Sequence, residues 1–172
     1  MSPDDPLLLD NQLCFALYAA TNAVTRAYRG PLGQVGLTYP QYLAMLVLWQ
    51  RGNCTVKQLA DTLQLDSSTL TPLLKRLETA GWISRNRDRK DERMVWIGLT
   101  ATGQALRAPV AAIQQGVACR TQLAPTELAT LRGQLRALAE TMSQAAALTR
   151  AEASPPAPAP VPATTPPARS AD

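Results

Sequence analysis

The chain contains no histidine, and that gap removes much of enzyme chemistry. Histidine is the usual general base near neutral pH, half of most hydrolase dyads and a frequent zinc ligand. There is also no Gly-x-Ser-x-Gly elbow, no P-loop and no dinucleotide fingerprint, so hydrolase, kinase and nicotinamide-dependent activities are not expected. Neither a metal site nor a cofactor is expected, and the chain is not read as an enzyme. Only three cysteines occur and none forms a Cys-x-x-Cys pair, which suits a reducing compartment better than a disulfide-stapled secreted fold. No apolar run is long enough to span a bilayer, and the opening Met-Ser-Pro-Asp-Asp lacks the basic and apolar regions of a secretion signal. A cytoplasmic location, with no membrane partner, is the expectation. Cysteine is the one strong nucleophile left.

At 172 residues the chain has the length for one domain with a sizeable core. Its net charge of +4 is modest, so where the positive charge clusters matters more than its total. Seven of the seventeen Lys and Arg residues lie between Lys75 and Arg93, against four acids. That cluster falls on a recognisable order of elements. Thr55-Val-Lys-Gln58 reads as a capping box, followed by Val56, Leu59, Ala60 and Leu63 at the spacing of one helix face. Leu65-Asp66-Ser67 breaks the pattern, and Leu70, Leu73, Leu74 and Leu77 repeat it up to Gly81. Ser68 is the expected cap of this second helix, since that puts Pro72 in the first turn. The opposite face carries Ser68, Pro72, Lys75 and Thr79, flanked by Thr69 and Arg76. Trp82–Arg87 and Arg93–Leu99 then alternate as strands around Asp88-Arg-Lys-Asp-Glu92.

The expected fold class is therefore mainly α: a winged helix-turn-helix with a two-stranded β wing, and terminal helices forming a dimerisation region. Residues 37–100 form the DNA-binding part. Residues 1–36 and 101–149 form the helical dimerisation part, and 150–172, rich in Pro and Ala, is expected to be a disordered tail. Leu8 to about Gly30 reads as a long amphipathic helix, interrupted by Pro31, Gly33 and Gly36 before a strongly apolar helix from Tyr39 to Arg51. Thr100 caps a further helix to about Gln122, with Pro109 and Gly116 as possible bends. Ala124-Pro-Thr-Glu127 restarts a helix whose Leu128, Leu131, Leu135, Leu138, Met142 and Ala145 step as a heptad seam. A second copy is the expected cover for that seam. A homodimer holding two recognition helices roughly 34 Å apart would read a pseudo-palindromic double-stranded DNA operator.

Four segments carry a more specific likeness. Asp10-Asn-Gln-Leu-Cys-Phe-Ala-Leu-Tyr18, Gly36-Leu-Thr-Tyr-Pro-Gln-Tyr42, Leu65–Glu78 and Asp91-Glu-Arg93 closely resemble the MarR family of winged-helix repressors, and within it the organic hydroperoxide resistance regulators, OhrR. The likeness covers roughly residues 8–147. It implies a dimeric repressor released when an organic hydroperoxide, the inducer, oxidises a cysteine near the amino terminus. Cys14 matches that position, and the opening turns of a helix independently favour negative charge there. Tyr28 and Tyr39 match the family's sensing tyrosines, and Tyr18 lies one helical turn from Cys14. Cys119 matches the second cysteine of the two-cysteine subgroup, in which the disulfide joins the two subunits. Cys54 has no counterpart and reads as packing. Phe15, Leu17, Met45 and Leu46 are candidates for an apolar pocket.

On DNA, Ser68, Thr69, Thr71, Pro72, Lys75 and Arg76 are the residues expected to reach bases or phosphates. Arg93 resembles the family's minor-groove arginine, with Asp91 to orient it. Arg85, Arg87, Arg89 and Lys90 are expected on phosphates. Two alternatives stay open: a thiol peroxidase in which Cys14 turns over, and a repressor released by a phenolic ligand without cysteine chemistry.

Overall fold

Burial of four leucines on one face of a short helix decides where the chain's DNA-type face points. Leu70, Leu73, Leu74 and Leu77 are all buried, and Ser68, Thr69, Thr71, Pro72, Lys75, Arg76 and Thr79 on the same helix are all exposed. The computed structural model describes residues 5–88, 90, 91 and 93–153, the side chains of 147, 148 and 150–153 excepted. A 3-10 turn at Leu9–Asn11 precedes α1 (Leu13–Gln34), α2 (Tyr39–Arg51), β1 (Cys54–Thr55), α3 (Val56–Leu63) and α4 (Ser67–Thr79). Next come β2 (Ile83–Arg87), β3 (Val95–Leu99), α5 (Ala101–Ala105), α6 (Arg107–Cys119) and α7 (Pro125–Ala153). The chain divides into two compact units, residues 1–122 and 123–172.

In the first unit α2 packs on α1, α3 and α4, and α6 packs on α1. Leu32, Met45, Leu48, Leu59, Leu70, Leu74, Leu77 and Ile97 are fully enclosed at the centre. The sheet order is β1-β3-β2, antiparallel throughout, with Arg85 opposite Ile97 and Arg87 opposite Val95. The wing is thus anchored by a third strand that the two-stranded expectation lacked. Cys54 pairs with Ile97 in that strand and is buried, which raises its thiol pKa. Two residues are too few to carry an alternation signal, so β1 is made by its partner and not by local pattern.

The capping box at Thr55 forms as read: its hydroxyl accepts the Gln58 amide at 3.2 Å, and the Gln58 side chain accepts the Thr55 amide at 2.9 Å. Thr38 and the buried Gln41 form a second box at the start of α2. Thr100 caps α5 by accepting the Gly103 amide at 3.0 Å. Three boundaries differ from expectation. Pro31 lies inside α1, which continues to Gln34 because Leu32 is drawn into the core and its carbonyl accepts the Leu37 amide at 2.9 Å. The cap of α4 is Asp66, not Ser68; its carbonyl accepts the Thr69 and Leu70 amides. Pro72 is therefore the sixth residue of the helix and not in its first turn. Third, the helix after Thr100 breaks at Leu106, and Gly116 lies within the continuous α6. Pro109, which can donate no amide to Ala105, accounts for the break.

The second unit is α7, whose preceding Ala124 amide donates to Glu127 at 2.7 Å. Leu131, Leu135 and Met142 of its seam are exposed, Leu128 and Leu138 half-buried. The helix runs to Ala153, past the expected start of the tail at 150, and the remainder of that expected tail, 154–172, lies outside the described residues. Among the described residues no helix is long and apolar enough to cross a membrane.

Candidate functional site: a DNA-type face, a wing and two exposed thiols

The recognition face is assembled by opposition. The leucine stripe fixes the rotation of α4, and Gly81, at φ +75°, turns the chain sharply into β2. Such a φ suits glycine because a Cβ would crowd the backbone. Arg85 on β2 reaches Glu78 on α4 at 3.9 Å, a half-exposed pair that ties wing to helix only weakly.

The wing turn, Asp88-Arg-Lys-Asp-Glu92 in the sequence, is organised by its first residue, Asp88. One carboxylate oxygen accepts the Lys90 and Asp91 amides at 2.8 and 3.2 Å, and the other accepts the Trp96 indole N–H at 2.9 Å. These bonds, the Lys90 amide first, hold the carboxyl below its usual range. An Asp two residues before an amide-bearing turn position is the local signal of an Asx turn. The Trp96 partner is not local and could not be read. Asp91 in turn accepts the Arg93 amide at 3.0 Å, so it orients the Arg93 backbone; no ion pair between the two side chains is present. Arg87, Lys90 and Arg93 are exposed, and Arg89 lies outside the described residues.

Cys14 is the second residue of α1, in the first turn, where the helix has no side-chain cap, and it is exposed. Cys119, the last residue of α6, is also exposed, and neither is in a disulfide. Tyr28, Tyr39 and Tyr42 form a phenol trio with ring centroids 5.1 to 5.9 Å apart. Burial, then a hydrogen bond to Tyr28, drives the Tyr42 pKa well above the phenol range; burial and then Tyr28 raise that of Tyr39. These phenols stay protonated donors. Tyr42, one helical turn from Tyr39 and a weaker sensor candidate on sequence alone, completes the trio.

Within one chain Cys14 does not meet this trio. Fourteen residues of helix separate Cys14 from Tyr28, about 21 Å at 1.5 Å per residue. Tyr18, one turn from Cys14, is 65 % exposed and outside the cluster. The helix that carries Cys14 also leaves Leu13 and Val24 exposed.

An exposed polar and basic helix face beside a basic two-stranded wing, itself anchored by a third strand, defines a winged-helix regulator. Comparison with known proteins specifies the family. Residues 37–95 match the model of the MarR family. The chain is 48% identical over 143 residues to the HTH-type transcriptional regulator TtmR of Methylorubrum extorquens, covering 79% of this chain and 73% of that one. It is 42% identical over 140 residues to the organic hydroperoxide resistance transcriptional regulator of Bacillus subtilis, covering 81% and 95%. Among solved structures, reduced AbfR bound to DNA matches with a TM-score of 0.68 at 36% identity, over 79% of this chain and 93% of that one. Disulfide-formed AbfR matches at 0.55, again at 36% identity and over 79% and 90%. The chain belongs to the MarR family of transcriptional regulators.

Proposed function

We propose that the protein is a homodimeric, cytoplasmic repressor that binds a pseudo-palindromic operator and releases it when an organic hydroperoxide oxidises Cys14. The observation that carries this reading is the setting of Cys14. It is an exposed thiol at the opening of α1, about 21 Å along that helix from Tyr28, on a helix whose Leu13, Tyr18 and Val24 are exposed among the described residues. A second copy supplies both needs at once. It covers the apolar residues, and it brings the phenol trio to donate hydrogen bonds to the thiolate.

The chemistry balances without a cofactor. The Cys14 thiolate attacks the hydroxyl-bearing peroxide oxygen; the O–O bond breaks, the alkoxide leaves as the alcohol after taking a proton, and Cys14 becomes a sulfenic acid. The thiol of Cys119 on the second copy then condenses with it, forming a disulfide and releasing water. Bonded terminal helices shift the spacing of the two α4 helices, and both half-sites are no longer met together. The Bacillus relative's name and the solved reduced and disulfide forms of AbfR support this reading.

In the reduced state Ser68, Thr69, Thr71, Pro72, Lys75 and Arg76 face the major groove, and Arg93 the minor groove. Arg85, Arg87, Arg89 and Lys90 act on phosphates. A gel shift on the chain's own upstream DNA, with and without hydroperoxide, tests the switch. Wild type is expected to release and Cys14→Ser to stay bound; release of Cys14→Ser at the same dose overturns Cys14 as the sensor.

A further inference from the structure

A cleft of about 430 Å³ opens between α2 and α6. Its walls are largely apolar, with Leu46 and Trp49 from α2 facing Val110 and Ala111 from α6. Its single charged wall residue is Arg107, for which no ion pair is present among the described residues. Tyr42 lines the same cleft, the one member of the phenol trio to do so, and its ring stacks on Tyr28.

The two helices place these ends apart. Trp49 donates its indole N–H to the Gly103 carbonyl at 3.0 Å, four residues before Arg107, so the carboxyl end of α2 lies beside the start of α6. Tyr42 is seven residues back along α2 from Trp49, about 10 Å at the helical rise. The cleft therefore has a cationic end at Arg107, an apolar middle, and a hydrogen-bonding end at Tyr42. A guanidinium on an apolar rim is suited to a carboxylate, which it can grip with two parallel N–H donors. An acyl tail fills the apolar middle, as in most small-molecule sites.

We propose that this cleft selects hydroperoxides that carry a carboxylate, with Arg107 holding the acid group and the acyl chain laid along Leu46 and Val110 so that the peroxide lies at the Tyr42 end. Arg107 is thus a specificity-determining residue for the inducer. The inference rests on the peroxide-sensing reading for its reactive end only; the binding half stands apart from cysteine chemistry.

Two measurements on the full chain separate those halves. The first is calorimetric titration of the Cys14→Ser protein with a medium-chain fatty acid that has no peroxide, against its methyl ester. Saturable binding of the acid, weakened about tenfold by the ester or by Arg107→Gln, is expected from loss of a charge-assisted pair. Equal binding of acid and ester, or no binding, overturns the site even if the redox switch is sound. The second is the dose of a fatty-acid hydroperoxide, and of its methyl ester, that releases operator DNA from the oxidisable protein. The acid is expected to act at a severalfold lower dose than the ester in wild type, and the ratio to fall to about one in Arg107→Gln. A ratio of one in wild type overturns the selectivity. Selective acid binding without any peroxide-induced release leaves the cleft standing and overturns the sensing reading instead.

Discussion

The indole of Trp96 donates to Asp88 at 2.9 Å, tying β3 to the wing turn, while the other oxygen of the same carboxylate gathers the amides of Lys90 and Asp91. A single half-buried acid thus orders a turn flanked by exposed basic side chains, and an acid kept in a basic segment has a structural reason to be there. Replacing Asp88 by Ala is expected to loosen the turn and weaken operator binding while leaving the melting temperature almost unchanged. Amide exchange at Lys90 and Asp91, compared with thermal melting, checks it. The pH dependence follows from the lowered carboxyl pKa. The ordering is complete above the ordinary carboxylate pKa of about 4 and is lost as pH falls through the lower folded value.

Gly103 makes the opposite kind of point. A Cβ there would lie 1.9 Å from the Trp82 carbonyl oxygen, a backbone atom that cannot rotate away. Gly103→Ala is expected to destabilise the fold by at least about 1–3 kcal/mol, the usual range for forced overpacking. A lowered urea midpoint would register it, and an unchanged one would show that α5 can move off β2 at little cost.

Pro72, sixth in α4 and exposed, removes the amide that would otherwise reach the Ser68 carbonyl. Restoring that bond in Pro72→Ala is expected to raise stability by up to about 3 kcal/mol. If Pro72 serves DNA contact, operator affinity falls in the same variant. Opposite signs in melting temperature and in binding are the outcome to look for.

Arg93→Ala is expected to weaken operator binding and to reduce the salt dependence of log K by about one counterion. The slope of affinity against salt, measured beside that of Lys75→Ala, distinguishes a phosphate contact from a base contact. An identical affinity and slope would remove Arg93 from the interface.

For Cys119→Ser, oxidation by an organic hydroperoxide is expected to stop at the sulfenic acid on Cys14. No dimer-sized species should form on a non-reducing gel, whereas wild type should give one. A crosslinked dimer from the variant would assign the resolving thiol elsewhere, with buried Cys54 the remaining cysteine.

Much of this was legible from residue order because the signals are local. The capping box at Thr55, the leucine stripe of α4 and the extent of α2 depend on contacts within a few residues, and each forms where the pattern places it. The cap of α4 was misplaced by two residues because a proline inside a helix was assumed to sit in its first turn, whereas the buried leucines hold the helix together around it. Arg93 and Asp91 were visible as a pair, but that Asp91 grips the Arg93 backbone and not its guanidinium is a matter of turn geometry.

Composition and periodicity determined that this chain has no histidine, that its positive charge gathers on one helix and one wing, and that Cys14 opens a helix. Tertiary packing alone decided the rest. The third strand at Cys54, the Trp96 bond that orders the wing, the joining of Tyr42 to Tyr28, and the cleft ending at Arg107 all bring together residues from different elements of the fold. The physical reason is range: a helix face or cap is fixed by neighbours within a turn or two, whereas strand pairing, ring stacking and cavities depend on which elements the buried core forces into contact.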